Sequence, residues 1–358
     1  MMKILYGVQG TGNGHITRAR VMARALAARD DVQVDFLFSG REANKFFDME
    51  IFGNYQLRTG MTFHHKEGAI DHLTTASQLK PLQFMRDVKQ LDLSDYDLVL
   101  NDFEPVTAWA AKRQGVTCIS ISHQDAFRYE VPKRGFNRMN RLLLDYFAPA
   151  DIHLGVHWYH FGQTIMPPFI EDEYVHGASG SHVLVYLPFE ALDEITMMLE
   201  PISEVNFLCF HPDIDQPEQD GNISWHPTSK NAFHHALQQA TGVIANGGFE
   251  LSSECLKLGK KLLIKPLHGQ FEQLSNVLTL ESLDLCRSMH DLDVDALEAW
   301  LKLPPGEPIH YPDDPQLLID WLLERNWQDT QSLCARLWQQ VRFPEPVRRK
   351  LSRYQLAG

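Results

Sequence analysis

The run Asn246-Gly247-Gly248-Phe249-Glu250-Leu251-Ser252-Ser253-Glu254 passes directly into Cys255-Leu256-Lys257-Leu258-Gly259. Ahead of it, Gly242-Val243-Ile244-Ala245 is short, apolar and bounded by turn residues, the pattern of a buried strand. Across 250–258 the spacing turns helical: Leu251, Cys255 and Leu258 share a face, and Gly259 stands where a helix is commonly closed. Two glycines between strand and helix let the backbone approach a ligand, and the first N–H groups of a helix lack partners within it. Such a corner attracts anions, phosphate above all. Glu250 and Glu254 lie one turn apart on one face. A carboxylate one turn in is placed to accept two hydrogen bonds from a ribose diol. By themselves these residues also fit an ordinary turn followed by helix-favouring acids.

The corner is one step in a longer alternation. Behind it, Lys261-Leu262-Leu263-Ile264 reads as a strand and 271–280 as a helix; before it come strands at 183–187, 205–210 and 223–225 and a helix at 230–240. The first half has the same rhythm. A strand at 4–8 leads through a glycine loop to a helix at 16–29, apolar at Ile16, Ala19, Ala23 and Leu26. Further strands follow at 32–38, 97–100, 117–121 and 152–156. A helix at 106–114 has Pro105 at its start and Gly115 after its end. Alternation of this kind specifies α/β architecture with parallel sheets covered on both faces. Around Met166-Pro167-Pro168-Phe169 the rhythm stops. The expected organisation is therefore two Rossmann-like, doubly wound domains, 1–165 and 182–325, joined by a linker at 166–181 and facing a cleft. Residues 326–358 form C-terminal helices that are candidates to pack back on the first domain.

The totals agree with a globular protein of two cores: 358 residues, 44% hydrophobic and 22% charged. A net charge of −13 opposes broad nucleic-acid binding, which needs a basic field. The five cysteines are odd in number, widely spaced and set in apolar runs, as buried small hydrophobes are. A reduced, cytoplasmic chain without structural zinc is expected. No bilayer-length apolar run or leader pattern is present in the sequence, so membrane contact is expected at most peripherally, on the inner surface.

The first glycine loop reads Gly7-Val8-Gln9-Gly10-Thr11-Gly12-Asn13-Gly14-His15-Ile16-Thr17-Arg18. A nicotinamide fingerprint needs a third glycine where His15 stands, and an acid closing the second strand where Ser39-Gly40 stands. A Walker A loop needs Lys-Ser/Thr after the last glycine. Neither fits.

Gly10-Thr11-Gly12-Asn13-Gly14-His15, the Asn246–Glu254 run, and Pro266-Leu267-His268-Gly269-Gln270-Phe271-Glu272-Gln273 together resemble the GT-B glycosyltransferases, in particular the peptidoglycan lipid-II GlcNAc transferase and UDP-glucuronosyltransferase-like enzymes. The resemblance spans 3–290 and is sharpest over 225–276. It implies a nucleotide-sugar donor, with Glu254 on the ribose of a UDP moiety and Asn246, Gly247, Gly248 and Phe249 around the diphosphate. Gly12 and Gly14 would face the donor from the first loop. His268, Gln270, Glu272 and Gln273 would meet donor sugar hydroxyls or phosphates. His123 and Gln124, in Ser122-His123-Gln124, would face the acceptor, a hydroxyl of unknown identity on a glycan, lipid-linked or small molecule. One departure stands out: the glycine-rich turn common after the first strand of the second domain is replaced by Leu187-Pro188-Phe189-Glu190.

His15 is the candidate catalytic base. A neutral imidazole titrates near working pH and contributes ~10²–10⁴ in rate when well placed. Its alternative is a helix-start histidine bonded to backbone. Asp102, at a strand end, is a candidate to orient it or a plain N-cap before Pro105; Glu104 is the next candidate. No cofactor or metal is expected, because helix N-termini can stabilise a departing diphosphate. Asp213-Ile214-Asp215 and Asp291-Leu292-Asp293 read as solvated surface. The sequence reading is a glycosyltransferase, inverting and metal-independent. The alternatives are a nucleotide-sugar epimerase of the same fold and a catalytically silent binding module. Two stretches remain. Residues 128–141 are basic and aromatic, fitting an anionic or lipid-linked acceptor, a membrane surface or an ordinary charged loop. Residues 63–68 are a candidate acceptor-side loop.

Overall fold

The first sheet comprises β1 (Met2–Gln9), β2 (Val32–Ser39), β3 (Tyr55–Leu57), β6 (Leu98–Asp102), β7 (Cys118–Ser122), β8 (Ile152–Val156) and β9 (Ile165–Met166). A separate two-stranded ribbon, β4 (His65–Lys66) with β5 (Ala69–Ile70), lies between them in the chain. The sheet runs β3-β2-β1-β6-β7-β8-β9 and is parallel throughout. The second sheet comprises β10 (His182–Tyr186), β11 (Asn206–His211), β12 (Glu218–Asp220), β13 (Ile223–Pro227), β14 (Gly242–Ala245), β15 (Lys261–Ile264) and β16 (Arg287–Ser288). Its order is β12-β13-β11-β10-β14-β15-β16, with only the edge strand β12 antiparallel. This computed structural model describes residues 1–46, 48–61, 65, 66, 69, 70, 80–170 and 180–355. Most of the 63–68 loop, and 171–179 of the linker, lie outside them.

Central strands bury both faces: Ile4, Leu5, Tyr6 and Val8 of β1 are fully covered, as are Val243 and Ile244 of β14. Continuous apolar runs, with no polar alternation, are what helices on both faces demand. Gly7 belongs to that packing. A Cβ at its position would stand 2.0 Å from Thr107 Oγ1 on the Pro105–Gln114 helix, so only glycine lets strand and helix close. Left-handed Gly115 (φ 71°) and Gly259 (φ 66°) end their helices as the sequence predicts.

The register sets up the site. Parallel pairing of Val8 with Asp102 and Gln9 with Ser39 brings the loop after β1 and the end of β6 to one edge. In the second sheet Ala245 pairs with Tyr186 and Ile264, which assembles the corner at 246–248 with the ends of β10 and β15. The chain crosses back earlier than residue 326: the Gln316–Glu324 helix already lies on the Asn13–Ala27 helix, with Arg29 paired to Asp320 at 2.8 Å. Trp338 then donates to Ile165 O at 2.6 Å. The sequence reading missed the Pro81–Gln90 helix and strands β3, β9, β12 and β16. These strands have only two or three residues, too few to show a period. No helix among the described residues is long and apolar enough to cross a membrane.

Candidate active site

The Asn13–Ala27 helix begins at Gly12, which caps it in extended conformation without a side-chain bond. Its first turn aims His15 at the end of β6, where Nδ1 meets Asp102 Oδ1 at 2.7 Å. Asp102 is fully buried and His15 keeps 14% side-chain exposure. An ionised carboxylate only accepts, so the ring carries its proton on Nδ1 and leaves the Nε2 lone pair for a substrate proton. Arg18, one turn along, grips the same carboxylate twice, Nε to Oδ2 and Nη2 to Oδ1, both 2.8 Å. Burial works against the Asp102 charge, but Arg18 and then His15 more than offset it and hold the carboxyl below its usual range.

The plain-cap reading of Asp102 is thereby corrected. Glu104 is the cap: Oε1 accepts from Val106 N at 2.8 Å, Oε2 from Thr107 N and Thr107 Oγ1 at 2.6 Å each. Burial raises the Glu104 carboxyl despite these bonds. Phe103 between the two acids takes φ 53°, a costly conformation for an aromatic residue. It turns Asp102 towards the glycine loop and Glu104 into the helix start.

In the second sheet the glycine corner is braced from within. Gln273 Oε1 accepts from Gly247 N at 3.1 Å and Leu267 N at 2.9 Å, and Gly248 N donates to Asn246 O at 2.9 Å. The expected presentation of the Gly247 and Gly248 N–H groups to a diphosphate is corrected accordingly. The unpaired donors are left to the first turn of the Phe249–Leu258 helix. Gln273 is a brace for the corner, and Gln270 caps the next helix by accepting from Gln273 N at 2.6 Å. Asn246 binds Lys265 O at 2.8 Å and Glu190 at 3.2 Å, and Glu190 forms a buried pair with Lys265 at 2.8 Å. This network occupies the turn where the sequence departs from the glycine-rich pattern.

The two halves touch here. Glu250 reaches Arg18, and Gly14 packs so tightly on the Glu250 stem that a Cβ would stand 2.8 Å from its Cγ. Burial, more than any charge, pushes the Glu250 carboxyl up to about 7. Glu254, one turn on, is 8% exposed. His123 is not open to an acceptor: it is buried, stacked on Phe249 at 3.9 Å, and wedged between Val156 O (2.8 Å) and Asn276 Oδ1 (2.7 Å). Burial lowers its pKa. Gln124 Nε2 donates to Glu272 at 3.1 Å. Both acceptor-side candidates are thus stitches between the halves. Arg18 is absent from the sequence candidates, and Glu250 stands there only as the acid one turn ahead of Glu254; the signal for Arg18 is a cation one turn after His15.

His268 is half-exposed beside Asp291 (3.3 Å) and the His290 ring. The ligand atoms of these three lie within 4.8 Å, a spacing able to hold a cation. Asp291 is nonetheless solvated, as read from sequence, with its side chain 75% exposed. In the 128–141 stretch, Arg128 pairs with Asp125 and Asp145, and Arg134 N donates to Ser275 Oγ at 3.0 Å. That segment straps the first half onto the second, and its remainder forms the Arg138–Tyr146 helix.

Two parallel sheets whose strand ends converge on an imidazole–carboxylate pair and a glycine corner define a GT-B glycosyltransferase. Residues 2–305 match the profile of Glycosyl transferase family 1, and the chain belongs to that family. Solved structures carry the same fold. The glycotransferase of kitacinnamycin is 15% identical (TM-score 0.58; 98% of this chain and 95% of that one covered). A UDP-glucosyltransferase from Polygonum tinctorium is 12% identical (0.57; 98% and 97%). MurG of Acinetobacter baumannii is 16% identical (0.52; 91% and 100%). No curated protein sequence matches.

Proposed function

We propose that this glycosyltransferase moves a sugar from a nucleotide diphosphate donor, UDP-linked, to an acceptor hydroxyl with inversion and without a metal. His15 Nε2 takes the hydroxyl proton as the acceptor oxygen attacks the anomeric carbon, and the glycosidic oxygen leaves with the nucleoside diphosphate. Asp102 holds the ring and stabilises the imidazolium that forms. The observation that carries this reading is the 2.7 Å His15–Asp102 contact at the mouth of the first glycine loop, where the helix start of the second sheet meets it. First-turn N–H groups of that helix receive the diphosphate charge, and Glu254 takes the ribose. A UDP donor is supported by the similarity to a UDP-glucosyltransferase.

Thermal melting with UDP, GDP, ADP and dTDP tests the donor. Ligand at 100 times its dissociation constant adds ~2.7 kcal/mol to the folded state, a readable shift. UDP release from a UDP-sugar with and without EDTA tests metal independence, which fails if chelation removes turnover. Glu254→Ala weakens UDP binding, and His15→Ala leaves it intact. If none of the four nucleotides moves the melting point, the reading is lost.

For the acceptor side we read the Arg138–Tyr146 helix as a peripheral contact for an anionic membrane surface. Met139, Leu142 and Tyr146 stand exposed beside Arg138 and Arg141.

A further inference from the structure

Arg18 has no part in the proton transfer just described, yet it is only 4% exposed and uses all three guanidinium nitrogens on acids. Nε and Nη2 hold Asp102 in the planar fork that suits a carboxylate. Nη1 reaches out of the first sheet's layer to Glu250, on the first turn of the helix that follows the glycine corner. Gly14 supplies a second mark of the same contact, since only its missing side chain lets the Glu250 stem approach. A charge buried this deeply is costly unless it is paired and hydrogen-bonded, and both partners here have consequences for His15. An Asp102 carboxylate released from that fork is free to turn away from His15 Nδ1, and the ring's two tautomers then mix.

We propose that Arg18 is a positioning residue: it keeps the Asp102 carboxylate oriented for His15, and Glu250 ties that orientation to the docking of the second half against the first. The proposal rests on His15 being the base. Glu250 contacts Arg18 and stands within the electrostatic reach of Asp102 and His15, so the latch connects the catalytic pair with the helix start assigned to the diphosphate. Closure then does two things at once: it brings the donor corner up to His15 and completes the partners of the guanidinium that holds the base. A lysine in place of Arg18 retains the charge but not the fork.

The test uses the full chain, its Arg18→Lys, Glu250→Ala and His15→Ala variants, and UDP-GlcNAc and UDP-glucose as probes, with UDP release followed with water as acceptor. Nitrogen-15 spectra of the His15 ring report its tautomer, and small-angle scattering reports the radius of gyration. We expect Arg18→Lys to lower kcat by about 10²-fold, as misplacement of a catalytic group does, with donor KM changed far less. Its His15 nitrogen shifts should move towards a tautomer mixture. Glu250→Ala should move the same shifts in the same direction and enlarge the radius of gyration. If Arg18→Lys does not fold by circular dichroism, Glu250→Ala decides alone, because its side chain bridges the halves and supports neither core. His15 shifts unchanged in Glu250→Ala overturn the coupling. Shifts and kcat unchanged in a folded Arg18→Lys overturn the positioning role. If His15→Ala itself keeps full turnover, the functional reading falls instead, whatever the other variants show.

Discussion

His15 Nδ1 lies 2.7 Å from Asp102 Oδ1 across 87 residues of chain. The pairing fixes which nitrogen is free, so the two residues should fail differently. His15→Ala removes the proposed base and should lower turnover ~10²–10⁴-fold while UDP still binds. Asp102→Asn keeps the shape but frees the tautomer, and it should lower kcat with little change in donor KM. Steady-state kinetics beside UDP calorimetry separates these outcomes from a general loss of fold.

Glu250 makes stability depend on pH. Its carboxyl is raised to about 7, chiefly by burial, with Arg18 lowering it and Asp102 raising it. The folded state therefore holds this proton more tightly than the unfolded chain. Its contribution is full below the unfolded value near 4.5 and is lost as pH rises through about 7. The span of about 2.5 units corresponds to about 3 kcal/mol. Denaturant melts of wild type and Glu250→Gln from pH 5 to 8 should show the variant gaining on the wild type by roughly that amount. Parallel curves would contradict it.

Gly7→Ala should destabilise without touching the chemistry. Its Cβ would stand 2.0 Å from Thr107 Oγ1 and 2.8 Å from Thr107 Cβ, a stiff side chain in a filled layer. Overpacking of this kind costs about 1–3 kcal/mol. A midpoint shift in urea checks it.

The Arg138–Tyr146 helix gives a surface prediction. Liposome flotation should recover the protein with vesicles rich in anionic lipid and not with neutral ones, less so at high salt. Met139→Ser with Arg141→Gln should abolish it. Equal recovery from both vesicle types, or none, excludes the membrane reading of this helix.

Much of the fold was legible because buried parallel strands write themselves as short apolar runs between glycine-ended helices. Ile152–Val156, Gly242–Ala245 and Lys261–Ile264 begin and end where the sequence put them. The placement of His15 and Asp102 was legible too, the one opening a helix and the other closing a strand at the sheet edge. Roles inside the corner were not. Gln270 and Gln273, read as meeting donor sugar hydroxyls or phosphates, hold the backbone, and His123, read as facing an acceptor, is wedged between the halves. A polar side chain near a glycine loop looks the same in sequence whether it serves a ligand or an orphaned backbone group.

By itself the sequence determined the two mostly parallel sheets and the glycine loops at their strand ends, because periodicity and helix caps are local properties of the chain. Tertiary structure alone decided that Arg18 binds Asp102 and Glu250 together, and where the C-terminal helices, expected to pack back, meet the first half. Those contacts join residues up to 232 positions apart, and their energies come from burial and charge in a shared low-dielectric space that no local pattern encodes.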